Sequence, residues 1–185
     1  MIKEFKPALL FLSKFLGIYV VGNLVYGVYI NHYYPQSDPT TQWISRQVGI
    51  IISSADTSVV SVPSADKATV ALIQESTKDT VINVFEGCNG INVVIVFVAF
   101  LVAYRGTIKR TLIFSFFGLV VIHIFNLSRI ILLFQLAKNH SPFFYYTHKY
   151  FFTAILYAVV AALWWFWVTK VNGIKNDHSR QAQVE

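Results

Sequence analysis

Between Thr111 and Leu136 the chain reads TLIFSFFGLVVIHIFNLSRIILLFQL, and Arg129 is the one charged residue in it. At about 1.5 Å of rise per residue, a helix of this length crosses the ~30 Å hydrocarbon core of a bilayer. Three more apolar runs accompany it: Ala8–Ile30, Ile91–Tyr104 and Phe151–Thr169. The run from Ile91 is short for a crossing and suffices only when Cys88-Asn89-Gly90 is drawn into or just above its outer end. Of 185 residues, 55% are hydrophobic and 13% charged, where soluble domains carry roughly a quarter charged. Disorder and an ordinary soluble enzyme are excluded. The pattern predicts an all-α integral membrane bundle of four transmembrane helices, with a small extracytoplasmic α+β segment between helices 1 and 2.

Basic residues orient the bundle. Lys3, Lys6 and Lys14 precede or open the first run, Arg105, Lys109 and Arg110 follow the second, and Lys170, Lys175 and Arg180 follow the fourth. With alternating spans all fall on one side, which the positive-inside rule makes cytoplasmic. Both termini are then inside. The first run is too long for a signal-peptide core, and no Ala-x-Ala-like site follows it. The net charge of +6 forms no basic patch with interleaved aromatics, so nucleic acid is not an expected partner.

Four parts follow: 1–30, the N-terminal end and first span; 31–87, the extracytoplasmic segment; 88–170, the membrane core; and 171–185, a polar cytoplasmic tail. The core holds spans at about 88–104, 111–136 and 151–169. In the outer segment, Asp38-Pro39 reads as an N-cap with Pro at the first helical position. Trp43, Ile44, Val48, Ile51 and Ile52 recur at helical spacing, predicting an amphipathic helix able to lie on the membrane. Thr69–Gln74 and Thr80–Phe85 read as strands about a polar turn. The aromatics Phe143–Tyr146 and Trp164–Trp167 suit the two interfaces of the last helix.

Ionisable residues inside spans are costly and commonly functional. His123, Asn126 and Arg129 lie at i, i+3 and i+6, on one helix face. Arg129 cannot be neutralised by deprotonation, and its structural alternative is to snorkel or to bind helix-terminal carbonyls. For His123 the plainer role is a buried hydrogen-bond partner. The lone cysteine sits in Glu86-Gly87-Cys88-Asn89-Gly90-Ile91. A helix N-terminus there would favour a thiolate; the alternative is a buried, inert thiol. His148 precedes the last helix among aromatics, as base or as bystander.

Counted from the cytoplasmic helix ends, Cys88 stands at roughly 24 Å, Arg129 at roughly 27 Å and His148 at roughly 31 Å, one slab at the outer boundary. His123 falls near 18 Å, too deep to join them. A thiolate attacks carbonyls, an adjacent imidazole manages its proton, and a fixed guanidinium stabilises the oxyanion. One cysteine supports neither a thiolate zinc site nor an intramolecular dithiol cycle. No Asp or Glu lies in the spans for a proton relay, and no paired interrupted helices suggest a transporter. Thiol acyl transfer fits best, needing no cofactor and no metal. A non-catalytic membrane subunit or scaffold of an envelope export system is the other class.

Glu86-Gly87-Cys88-Asn89-Gly90-Ile91, then Asn126-Leu127-Ser128-Arg129-Ile130, then His148, in that order and at outer helix ends, resemble the exosortase/archaeosortase family. Length and span number are most similar to the short exosortase F subgroup of Bacteroidetes-type bacteria. The resemblance covers roughly Phe85 to Tyr157. It implies a cysteine peptidase or transpeptidase of the bacterial inner membrane, acting at the extracytoplasmic face. Cys88, Arg129 and His148 would be catalytic, with Asn126, Asn89, Gly90 and His123 in support. The implied partners are the bilayer and exported proteins carrying a C-terminal motif, one transmembrane helix and a basic end. Most members have more than four spans, and Phe152 stands where the family often has Gly, which leaves His140 as the alternative histidine.

Overall fold

The computed structural model describes residues 2–55, 58–65, 67–104, 106–139 and 151–171. Helix α1 (Ile2–Tyr33) is followed by α2 (Pro39–Ala55), then by strands β1 (Val59–Pro63), β2 (Thr69–Gln74) and β3 (Thr80–Phe85). A 3-10 turn, Glu86–Cys88, leads into α3 (Ile91–Ala103), and α4 (Ile108–Lys138) follows. Helix α5 (Phe152–Phe166) continues through a π-helical turn, Trp167–Val171.

Three helices are long and apolar enough to cross a membrane: Phe5–Tyr33, Ile108–Lys138 and Phe152–Val171. The expected fourth, α3, has 13 residues, or about 20 Å. Its lengthening through Cys88 does not occur as helix, because Gly90 takes a left-handed conformation (φ 80°) and a 3-10 turn precedes it. That φ favours a residue without Cβ.

Helix directions follow from their contacts. Phe11 of α1 packs on Phe100 and Tyr104 at the end of α3, while Tyr26 reaches Asn89 before its start, so the two helices run antiparallel. Gly22 lets them close, since a Cβ there would lie 2.8 Å from Ile95. Gly118 of α4 does the same for Phe97 of α3, where an added Cβ would fall 2.1 Å from the ring. Small residues at such crossings are how helices pack where lipid is as apolar as their side chains. Helix α5 returns against α4, with Trp167 on Phe114 and the Arg110 guanidinium donating to the Val171 carbonyl. Lys6, Lys109, Arg110 and Lys170 therefore share one end of the bundle.

A cap covers the other end. β1, β2 and β3 form an antiparallel meander in that order. The strands Thr69–Gln74 and Thr80–Phe85 match expectation, and β1 is an addition to it. Asp38 caps α2, its Oδ1 accepting from the Thr41 amide at 3.0 Å. Ile44, Val48 and Ile52 pack with Val59, Leu72 and Val84 of the sheet and with Ile130 and Phe134 of α4. Ile44, Val48 and Ile52 of the apolar stripe of α2 are thus covered by protein, whereas Trp43 and Ile51 stay exposed. The tryptophan block also divides: Trp167 is buried in the helix core beside Phe114, whereas Trp165 is exposed.

Candidate functional site

Cys88 lies where cap and bundle meet, in the 3-10 turn ahead of α3. It is buried among Val84, Ile130 and Phe134. Two residues of α4 hold or face this turn. Asn126 donates from Nδ2 to the Cys88 carbonyl at 3.0 Å. Its amide also sits against Gly90, where an added Cβ would come within 3.2 Å. Arg129 is buried on the same helix face and acts electrostatically on the thiol.

Burial pushes the Cys88 thiol above its ordinary pKa, against a downward pull from the Arg129 charge and then from a hydrogen bond to the Phe85 backbone; Glu86 adds an upward push. The expectation of a thiolate favoured by a helix N-terminus is therefore not met. The α3 amides are engaged elsewhere: Asn89 Oδ1 accepts from the Ile91 amide at 3.0 Å, and the Gly90 carbonyl from those of Val93 and Val94. A desolvated thiolate loses more than these two favourable contacts return.

Two buried polar atoms here have no partner among the described residues, Arg129 Nε and Asn126 Oδ1. Leaving buried polar atoms unpaired is costly, and both stand beside the cysteine turn. The turn is tied to the rest of the chain by a polar chain. Asn89 Nδ2 donates to the Tyr26 hydroxyl at 2.8 Å and to Thr41 Oγ1 at 3.1 Å. Thr41 in turn donates to the Asp38 carboxylate, and Tyr26 donates to the Glu86 carbonyl at 3.3 Å. Asn89 thus links α1, α2 and the cysteine turn. Sequence reasoning missed Tyr26 and Thr41 altogether and saw in Asp38 only a cap.

The remaining candidates divide. His123 leaves the face it shares in sequence with Asn126 and Arg129. Its Nε2 bonds Gln47 Oε1 at 2.9 Å, and its ring stacks on Trp43 at 5.1 Å. It fastens α4 to α2 and does not join Cys88. His148 and His140 lie outside the described residues, as does the aromatic group Phe143–Tyr146. Among the described residues, no cluster of His, Cys, Asp and Glu could hold a metal ion.

Two openings adjoin the turn. A cavity of about 330 Å³ runs from Cys88 along Val81–Phe85 to Ile130 and Leu133. A broader cleft of about 560 Å³ lies between α1 and the start of α3, bordered by Asn23, Gly27, Glu86 and Asn92.

Fold and site together define a helical membrane protein whose cap closes over a buried cysteine and an adjacent arginine. No protein-family model, curated protein or solved structure matches the chain.

Proposed function

We propose that the chain is a membrane-embedded cysteine peptidase or transpeptidase of exosortase type, cleaving C-terminal sorting signals of exported proteins. The observation that carries this reading is a cysteine that lines a cavity while a buried arginine from a separate segment, Arg129, acts on its thiol. In this account α3 makes the fourth crossing, with the cysteine turn at its outer mouth. The cap lies on the extracytoplasmic face of the bacterial inner membrane, and the basic end with both termini is cytoplasmic.

The substrate's own helix docks laterally, for which the cleft between α1 and α3 offers room, and its motif reaches the cap. Cys88, as thiolate, attacks the scissile carbonyl. Charge passes to the carbonyl oxygen, which the buried Arg129 stabilises where water would otherwise compete. His148 gives a proton to the leaving amine as the thioacyl-enzyme forms. Water or an amine then attacks the thioester and returns the thiol. Asn126 and Asn89 fix the turn that aims the sulfur.

The test is processing in cells of exported proteins ending in a short motif, one transmembrane helix and basic residues. Cys88→Ala leaves the precursor intact, and Arg129→Lys does the same because a point ammonium lacks the guanidinium fork. Normal processing by Cys88→Ala would overturn the reading.

A non-catalytic membrane subunit draws on one contrary observation, the burial of Cys88 with its thiol pushed up. It predicts a Cys88 silent to a membrane-impermeant thiol reagent even at alkaline pH, where the peptidase reading requires labelling.

A further inference from the structure

The edge of the sheet leads to the sulfur, and its backbone geometry can be worked out from the bonds around it. Ser64 N donates to the Thr69 carbonyl and Glu75 N to the Ser58 carbonyl, so odd-numbered residues of β2 and just beyond turn their backbone groups toward β1. Gln74 N donates to the Asp79 carbonyl, so even-numbered ones turn toward β3. In an antiparallel ladder the directions alternate residue by residue. Val70 and Leu72 therefore exchange hydrogen bonds with their partners Val84 and Ile82. Asn83 and Phe85 present theirs to the outer edge of β3, where no described strand pairs. A backbone hydrogen bond at Phe85 favours the Cys88 thiolate, which places the end of this edge beside the cysteine turn.

The cavity has the same orientation. Five consecutive residues, Val81–Phe85, line it, whereas a cavity under one face of a strand would meet every second residue. It runs along the edge. Sheet edges are ordinarily guarded by charge or proline. β1, at the other edge, ends in Pro63, while β3 reads TVINVF with neither. An uncharged edge whose outward N–H and C=O at Asn83 have no partner strand among the described residues fits one chemical class of occupant, an extended peptide.

We propose that the outer edge of β3 is the substrate-docking strand: an extended, uncharged peptide segment pairs with Asn83 as a fourth strand, seats an apolar side chain against Ile130 and Leu133, and runs its backbone past the Cys88 sulfur. This is strand addition, in which main-chain bonds hold the peptide and pockets select its side chains. It rests on the reading of Cys88 as a nucleophile, since only then is the passing backbone a substrate. It names the class: a segment free of Asp, Glu, Lys and Arg where it crosses the cap.

Cys88 is the only cysteine, which permits a direct experiment on the full chain in lipid nanodiscs. Threonine- and valine-rich peptides carry one cysteine activated as a thiopyridyl disulfide. Exchange with the Cys88 thiolate forms the mixed disulfide and releases thiopyridone. Mixed disulfide is counted by mass spectrometry at alkaline pH, with methyl methanethiosulfonate as the small control reagent. Trapping by the protein should fall about tenfold when alternate peptide amides are N-methylated, the loss of one or two backbone bonds. Asn83→Pro, which removes an outward N–H and no rung shared with β2, should lower trapping likewise and leave the small-reagent rate unchanged. Equal trapping of plain, N-methylated and lysine-bearing peptides would overturn the proposal. The peptidase reading fails separately, through normal processing by Cys88→Ala, which the trapping result does not touch.

Discussion

At the basic end of the bundle Phe11, Phe100, Tyr104, Phe114, Trp164 and Trp167 meet ring against ring, Phe100 and Trp164 with centroids 4.4 Å apart. At the cap end Tyr26, Thr41, Asn89 and Asn126 meet through hydrogen bonds, around a buried cysteine and arginine. Aromatic packing tolerates small shifts, since dispersion is summed over many weak contacts. A buried polar network does not, because each broken bond strands a desolvated group. One end is built for cohesion. The other fixes the position of one turn at a cost in desolvation that cohesion alone would not require.

Substitutions at the two ends should separate stability from thiol chemistry. The largest loss is expected from Trp167→Ala, about 3–5 kcal/mol for an emptied core site. It should appear as a lowered thermal midpoint in detergent, with the pH dependence of Cys88 alkylation unchanged. Gly118→Val forces Phe97 off α4 and should cost about 1–3 kcal/mol by overpacking, again in the thermal midpoint alone. Asn126→Leu strands the Cys88 carbonyl at about 1–3 kcal/mol. Unlike the first two, it should change the rate at which Cys88 is alkylated. Tyr26→Phe removes one hydroxyl from the network, for about 0.5–1.5 kcal/mol, and should affect the alkylation rate more than the melting curve. If Trp167→Ala moved the alkylation profile as much as Asn126→Leu, the contrast between the ends would be lost.

Much of the contrast was readable in the sequence, and the unreadable part has a common cause. Hydropathy marks spans because each must satisfy its backbone internally. Asp38-Pro39 marks the start of α2, and alternation marks β2 and β3. β1 was missed because Val59–Pro63 is short and ends in proline, which demotes a strand reading. Asn126 and Arg129 were placed by helical period alone. His123 obeys the same period, but α2 packs there and supplies Gln47, a contact 76 residues away in sequence that no local pattern encodes. The Tyr26–Asn89 bond spans 63 residues and is hidden for the same reason. At the start of α3, Gly90 stops the helix short of the cysteine, so the Cys88 turn stands above the helix end and not within it. For Cys88 the sequence left a helix-terminal thiolate and a buried thiol both open, and burial between cap and α4 favours the second. Burial by a distant segment is a tertiary property.

If Arg129 acts on Cys88 under the cap, the alkylation rate of this sole cysteine against pH must differ between wild type and Arg129→Gln. A thiolate exists only above the thiol's pKa, and burial raises that pKa, so wild-type labelling should be slow at neutral pH and climb with a midpoint above the ordinary ~8.5 of a free cysteine. Removing the guanidinium removes the largest opposing influence, so the Arg129→Gln midpoint should move further alkaline. Superimposable profiles for the two proteins would contradict the claim.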